Sequence, residues 1–234
     1  MFEFRSRIRF SECSADNRLS LSGLVNYFQD CAVFHSVNMG RGPRAWREEH
    51  YAWLVATWRI IVAEYPALGE EVLTRTSCYR FHGIEGDRNV VMFGDDGRIL
   101  ALADSRWIYY DTEAGRPAHV PQIEVEGYGV EERLSIPEAP RHIKVPTENV
   151  QEKFSLKIRP TNLDTNGHVN NEQYIRLALA YLPADMRVRE LRVEYHAQAM
   201  LGDILVPKVW QGEDEYIIWF EVEGRKCCVL QFII

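Results

Sequence analysis

Apolar and polar positions follow two different periods along this chain, and each change of period marks an element. Phe4, Ser6, Ile8 and Phe10 alternate with Arg5, Arg7 and Arg9, which predicts a strand with one basic face. After a polar loop over 11–20, Leu21, Leu24, Val25, Phe28, Cys31, Ala32 and His35 recur at three- and four-residue steps. That stripe predicts a helix of about five turns, capped by Ser20 or Ser22 and ended near Gly40-Arg41-Gly42-Pro43. β-Branched and aromatic runs then predict strands over 52–61, 71–81, 89–93 and 98–110. Turn residues separate them at 65–69, 95–97 and 111–117.

The pattern restarts past residue 150. Phe154, Leu156 and Ile158 alternate as a strand, a polar loop follows, and 174–182 reads as a buried helix that stops by Pro183. Four more strands are predicted over 188–195, 204–210, 216–222 and 227–234. The order strand, helix, strands therefore occurs twice. Trp58-Arg59-Ile60 through Leu68-Gly69-Glu70-Glu71-Val72 aligns without gaps to Leu191-Arg192-Val193 through Leu201-Gly202-Asp203-Ile204-Leu205. This predicts an α+β chain made of two copies of one unit, 1–118 and 151–234, packed as a pseudo-twofold pair. Residues 119–150, with Pro121, Pro137, Pro140 and Pro146 among scattered acids, read as a linker that is partly structured at most.

Composition narrows the function. At 234 residues and 46% hydrophobic positions, a substantial core is expected. Twenty-seven basic against 34 acidic residues, a net charge of −7, argues against a general nucleic-acid surface but leaves room for a local basic patch facing an acidic partner. Arg5, Arg7 and Arg9 are one candidate for it. Five cysteines without regular spacing do not make a disulfide framework, and neither CxxC nor HExxH occurs, so no metal and no cofactor is expected. The first ten residues lack a long apolar run, so neither a signal peptide nor a membrane span is expected, and a cytoplasmic protein is the plain reading.

The densest chemistry lies in the stretch 160–171, Pro-Thr-Asn-Leu-Asp-Thr-Asn-Gly-His-Val-Asn-Asn, directly before the second helix. His168 can exchange a proton near neutral pH. Asp164 can act as a base, orient a histidine or position water, and Asn166 can offer an amide to an oxyanion. Gly167 permits positive φ. Backbone N–H groups at the helix start are further oxyanion donors. The same residue types are also ordinary loop and cap chemistry. The matching stretch of the first unit, Asn17-Arg18-Leu19-Ser20-Leu21-Ser22-Gly23, carries no such trio. The second unit is thus the candidate for chemistry, and the first would supply shape.

Asp164-x-Asn166-x-His168-Val169-Asn170-Asn171-x-x-Tyr174 resembles the signature of acyl-acyl carrier protein thioesterases of the bacterial, fused double hot-dog type. The resemblance runs on through Val193-Glu194-Tyr195 and Gly202-Asp203, and back over the first helix and 53–72. It implies a tandem double hot-dog fold, each unit a long helix wrapped by a curved antiparallel sheet. It implies hydrolysis of fatty acyl-carrier thioesters to free fatty acid and carrier thiol, in fatty acid biosynthesis. Asp164, Asn166 and His168 match the family's catalytic trio. Where the family has a Glu-Cys pair this chain has Gln198 and Ala199. The missing thiol argues against an obligatory cysteine nucleophile, and Gln198 can hold a water or orient His168 but cannot act as a base.

Two routes follow from this trio: Asp164 or His168 activates water, or Asp164 itself attacks to form an anhydride. Leu24, Val25 and Phe28 on the first helix are the candidates for lining the acyl slot. The implied partner is an acyl carrier protein, and a fused pair either suffices alone or pairs again as a homodimer. Two rivals remain, an acyl-CoA thioesterase of the same fold and a non-catalytic acyl-binding protein.

Overall fold

The computed structural model describes residues 1–164, 167–183 and 186–234, and these form two compact units, Met1–Pro137 and Glu138–Ile234. The division falls inside the stretch expected to link them.

The first unit begins with β1 (Phe2–Arg7) and a single 3₁₀ turn, Phe10–Glu12. The exposed face of β1 carries Glu3 beside Arg5 and Arg7, and Arg9 lies beyond the strand, so the face is less basic than expected. The strand stops before Phe10, which enters the turn and is 79% exposed. Next comes α1 (Leu21–Asn38). The Ser20 hydroxyl caps it, accepting from Gly23 N–H at 3.0 Å and donating to Glu12 O at 2.9 Å. All seven residues of the predicted stripe are buried. A short helix the pattern did not announce, α2 (Pro43–Glu49), starts on the proline of the breaker cluster, because Pro is well suited to a first helical turn.

Four long antiparallel strands follow: β2 (Tyr51–Val62), β3 (Glu71–His82), β4 (Glu85–Gly94) and β5 (Ile99–Asp111). Two-residue β6 (Arg116–Pro117) pairs with β5. The order is β1-β3-β4-β5-β2. Helix α1 lies against β1, β3 and β4, and Phe28 of α1 meets Trp58 of β2 with ring centroids 6.4 Å apart. A large side chain of this kind, fully buried, is worth roughly 1.5–3 kcal/mol each.

Within the expected linker, α3 (Gln122–Tyr128) buries Glu124 and Tyr128 in the first unit. Residues beyond it run along the strands, with Glu131 N–H on Cys78 O at 2.9 Å and Leu134 N–H on Asn89 Oδ1 at 2.8 Å.

The second unit repeats the plan with shorter parts. Its strands are β7 (Gln151–Glu152), β8 (Leu156–Lys157), β9 (Glu190–Tyr195), β10 (Ile204–Gln211), β11 (Glu215–Val222) and β12 (Arg225–Ile233), ordered β9-β12-β11-β10, with β7 and β8 both along the far edge of β10. The expected continuous strand through Phe154 is thus split, and Phe154 is 94% exposed. Pro207 supplies the reason. Its carbonyl faces this edge, accepting from Lys153 N–H at 2.9 Å, so its missing N–H faces the same edge and the ladder has a gap there.

Helix α4 (Asn171–Leu179) begins three residues before the predicted helix and ends before Pro183. It packs on β11 and β12, with Tyr174 5.8 Å from the Phe220 ring. The other face of this sheet is covered by residues 143–150, where Ile143 joins Ile217, Trp219 and Val229 in one buried cluster. Both faces being covered explains why β11 reads as a nearly unbroken apolar run.

Candidate active site

The stretch 160–171 folds as a tight turn between two anchors. Pro160–Asn162 forms a 3₁₀ turn held by Asn162 Oδ1, which accepts from Arg159 N–H at 2.9 Å. Leu163 and Val169 then bridge, and Asp164 N–H donates to His168 O at 2.8 Å. The Asp164 carboxylate closes the turn from inside, Oδ1 accepting from His168 N–H at 3.1 Å. Gly167 stands at φ 81°, a conformation an L side chain resists, and its N–H donates to Asp164 O at 3.2 Å. Asp164 and His168 are both half-buried. Asn166 lies outside the described residues.

A second segment runs antiparallel beside this turn. His168 bridges Met200, and Val169 N–H donates to Ala199 O at 3.2 Å. Gln198, two residues before Met200, is therefore on the segment that flanks the turn, with its side chain exposed. The fold thus gathers Asp164, His168 and Gln198, the three described members of the predicted set, into one neighbourhood.

Donors at the helix start are less free than expected. Asn170 caps α4 through Oδ1, which takes Glu172 N–H at 3.0 Å, and Asn170 O takes Gln173 N–H at 2.9 Å. Two residues that pattern reading left unassigned hold this end in place. Tyr195 Oη donates to Asn171 O at 3.0 Å, and the buried Glu172 accepts from Gln173 Nε2 at 2.9 Å. The Glu194-Tyr195 pair was the available signal, since a buried hydroxyl needs a partner.

No thiol here is activated. Burial is the leading cause that raises the pKa of each of the five cysteines, with Cys31 pushed up to about 12. Among the described residues no cluster of His, Cys, Asp and Glu could hold a metal ion, and no helix is long and apolar enough to cross a membrane.

The first unit holds the same turn without the chemistry. Cys13 bridges Leu19 as Leu163 bridges Val169, and Arg18 bridges Ala67 as His168 bridges Met200. Asn17 takes φ 59° where Gly167 takes 81°. At the matched positions stand Ser14, Asp16 and Arg18 in place of Asp164, Asn166 and His168. The first unit instead has a small, partly open pocket lined by Ala32, Val33 and Ser36 of α1, by Trp53 and Trp107, and by Arg88 and Tyr128. Leu24, Val25 and Phe28, the residues expected to line a slot, do not line it. They lie one to two turns earlier on α1 and are at most 1% exposed, packed into the core.

Comparison with known proteins agrees with this architecture. Residues 1–128 match the family model of the acyl-ACP thioesterase N-terminal domain, and residues 146–222 that of the C-terminal domain. A palmitoyl-acyl carrier protein thioesterase of Cuphea hookeriana chloroplasts is 26% identical over 223 residues, 88% of this chain and 53% of its own length. An oleoyl-acyl carrier protein thioesterase of Arabidopsis thaliana chloroplasts is 26% identical over 219 residues, 85% of this chain and 59% of its own. This chain thus spans between half and three-fifths of those relatives.

Among solved structures, an acyl-ACP thioesterase from Bacteroides thetaiotaomicron superposes with a TM-score of 0.89 at 25% identity, covering 99% of this chain and 96% of that one. The 12:0-ACP thioesterase of Umbellularia californica shares the fold with a TM-score of 0.86 at 18% identity, covering 99% and 96%. With both of its domain models matched in order along an α+β chain of two hot-dog units, this chain belongs to the acyl-ACP thioesterase family.

Proposed function

We propose that this protein hydrolyses fatty acyl thioesters of acyl carrier protein, releasing free fatty acid and carrier thiol, with Asp164, Asn166, His168 and Gln198 as its site. The observation that carries the reading is the turn of the second unit. It keeps Asp164 and His168 within one closed loop in a chain whose two halves both match the family, while the first unit keeps the loop and lacks the acid and the imidazole.

In the proposed reaction a water beside the turn attacks the thioester carbonyl. His168 takes the water's proton, and Asp164 holds the backbone of His168 in place while its charge favours the imidazolium that forms. Positioned proton transfer of this kind is worth roughly 10²–10⁴ in rate. Asn166 donates to the oxyanion, a contact worth about 10²–10³. His168 then returns the proton to the leaving sulfur. Gln198, exposed beside the turn, holds the attacking water through its amide. Raised thiol pKa values support a route without a cysteine nucleophile. All five cysteines are free, which suits a reducing compartment such as the cytoplasm.

The test is steady-state hydrolysis of a chain-length series of acyl-carrier thioesters and of the matched acyl-CoA thioesters, followed by free thiol release against an enzyme-only blank. Turnover that prefers the carrier substrates and vanishes in His168→Ala is the expected result. A preference for CoA substrates would replace the carrier reading with the CoA reading. No turnover on either would make this an acyl-binding protein.

A further inference from the structure

Arg88 on β4 is the one arginine or lysine among the described residues that is fully buried, 6% exposed. Its Nη1 donates to His35 Nδ1 at 3.0 Å and to Thr76 Oγ1 at 3.2 Å, and its Cζ lies 5.2 Å from the centroid of the Tyr128 ring. All three partners are neutral. His35 must be, because its Nδ1 accepts from a group that can only donate. Burial first and the Arg88 charge second push its pKa down to about 3.

The nearby acids are engaged elsewhere. Asp87, the next residue along β4, sits between Arg80 and Arg106 at 2.6 and 2.9 Å. Glu124 is held by Arg41 at 2.5 Å and by Trp53 Nε1 at 3.0 Å. Glu131 pairs with the N-terminal amine. No carboxylate among the described residues pairs with Arg88. A buried charge without a counter-charge is costly, so such a group in a pocket wall points to a ligand that completes it.

The direction of the unused donors says what kind. The protein takes Nη1, which leaves the Nε and Nη2 edge of the guanidinium, and the two N–H groups on that edge match the two oxygens of a carboxylate. Apart from Ser36 and Tyr128, whose hydroxyls bond each other at 2.7 Å, most of the wall is apolar: Ala32 and Val33 from α1, Phe81, Trp53 and Trp107. We propose that the pocket of the first unit binds a carboxylate with an apolar body, its oxygens on Nε and Nη2 of Arg88 and its body among the indole rings. A single guanidinium with neutral neighbours suits one negative charge better than a dianion. The site stands on the first unit alone and does not depend on the hydrolysis proposed above.

Sodium octanoate and octan-1-ol are suitable probes on the full chain, read by tryptophan fluorescence, since Trp46, Trp53 and Trp107 line the pocket. Octanoate is expected to bind saturably and about tenfold or more tightly than octan-1-ol, the contribution of hydrogen bonds to a charged group. Arg88→Met should remove that advantage and leave octan-1-ol binding within about twofold. Equal affinity for the two probes, no octanoate binding at all, or unchanged octanoate affinity in a folded Arg88→Met would each overturn the proposal. If circular dichroism shows Arg88→Met unfolded, Val33→Phe decides. It fills the pocket from a half-buried helix position and keeps Arg88, so octanoate binding should be lost, and retained binding would overturn the site.

Discussion

At the scale of the residue, Asp164 has two duties that can be separated. Its Oδ1 accepts the His168 N–H that closes the turn, and its charge is what the proposed chemistry uses. Asp164→Asn keeps an oxygen for that N–H and discards the charge. The expected outcome is a fall in kcat of roughly 10²–10⁴, like that of His168→Ala, with thermal stability close to wild type. Asp164→Ala should lose activity and also lower Tm, because the turn loses its inner bond. A fully active Asp164→Asn would remove the charge from the mechanism.

Leu24 and Phe28 behave otherwise. They are packed in the core, so Leu24→Ala or Phe28→Ala should cost about 2–5 kcal/mol in urea unfolding and should not shift chain-length preference. His35 sets a pH dependence at the same scale. Its folded pKa, about 3, lies below the 6.5 of a free imidazole. The unfolded chain therefore binds the extra proton first as pH falls. The stability tied to a neutral His35 is fully present above pH 6.5 and is lost as pH drops toward 3, with a limiting slope of about 1.4 kcal/mol per pH unit. His35→Gln, which keeps an acceptor for Arg88, should show a shallower acid loss in urea titrations. An identical slope would mean that His35 protonates in the folded state as easily as in water.

At the scale of the element, one turn was kept through duplication and only one copy kept the candidate residues. Both copies need a positive φ at the same place, met by Asn17 in the first and Gly167 in the second. A side chain at 167 would meet nothing within 4 Å, so the cost of replacing Gly167 is backbone strain alone. Gly167→Asn should thus be tolerated, and Gly167→Val should cost about 1–2 kcal/mol by denaturant melt. Equal losses for the two would point to a steric cause instead. The two helices also differ for a local reason. Helix α1 runs 18 residues and α4 only 9, because Pro183 biases the residue before it away from helical backbone.

At the scale of the whole molecule, the function proposed above sets a net charge of −7 against an acidic carrier, a pairing in which productive contact would come from local basic groups. On the reading proposed here, kcat/KM on acyl-carrier substrates should fall as salt is raised, and kcat should not. A salt-independent kcat/KM would mean that the contact is apolar. Because no thiol is activated, pretreatment with iodoacetamide should leave kcat within about twofold.

Periodicity and turn residues alone determined much of this protein. The stripe on α1, the long strands of both units, the duplication, the α+β class and the turn holding Asp164 and His168 all follow from spacing that is local in the chain. Tertiary structure decided what local spacing cannot hold. Strand β7–β8 is broken opposite Pro207, and that proline lies some fifty residues away on another strand. Residues 119–150 read as a linker by their prolines, yet Tyr128 and Ile143 are buried because each covers part of a sheet formed elsewhere. Arg88 is the clearest case. Asp87 and Arg88 look like the polar edge of a strand beginning at Asn89, and β4 in fact begins at Glu85. Neighbouring strands bring Arg80 and Arg106 to Asp87, and α1 brings His35 to Arg88. A charge can be buried only where partners from distant parts of the chain meet it, and those meetings exist only in the folded molecule.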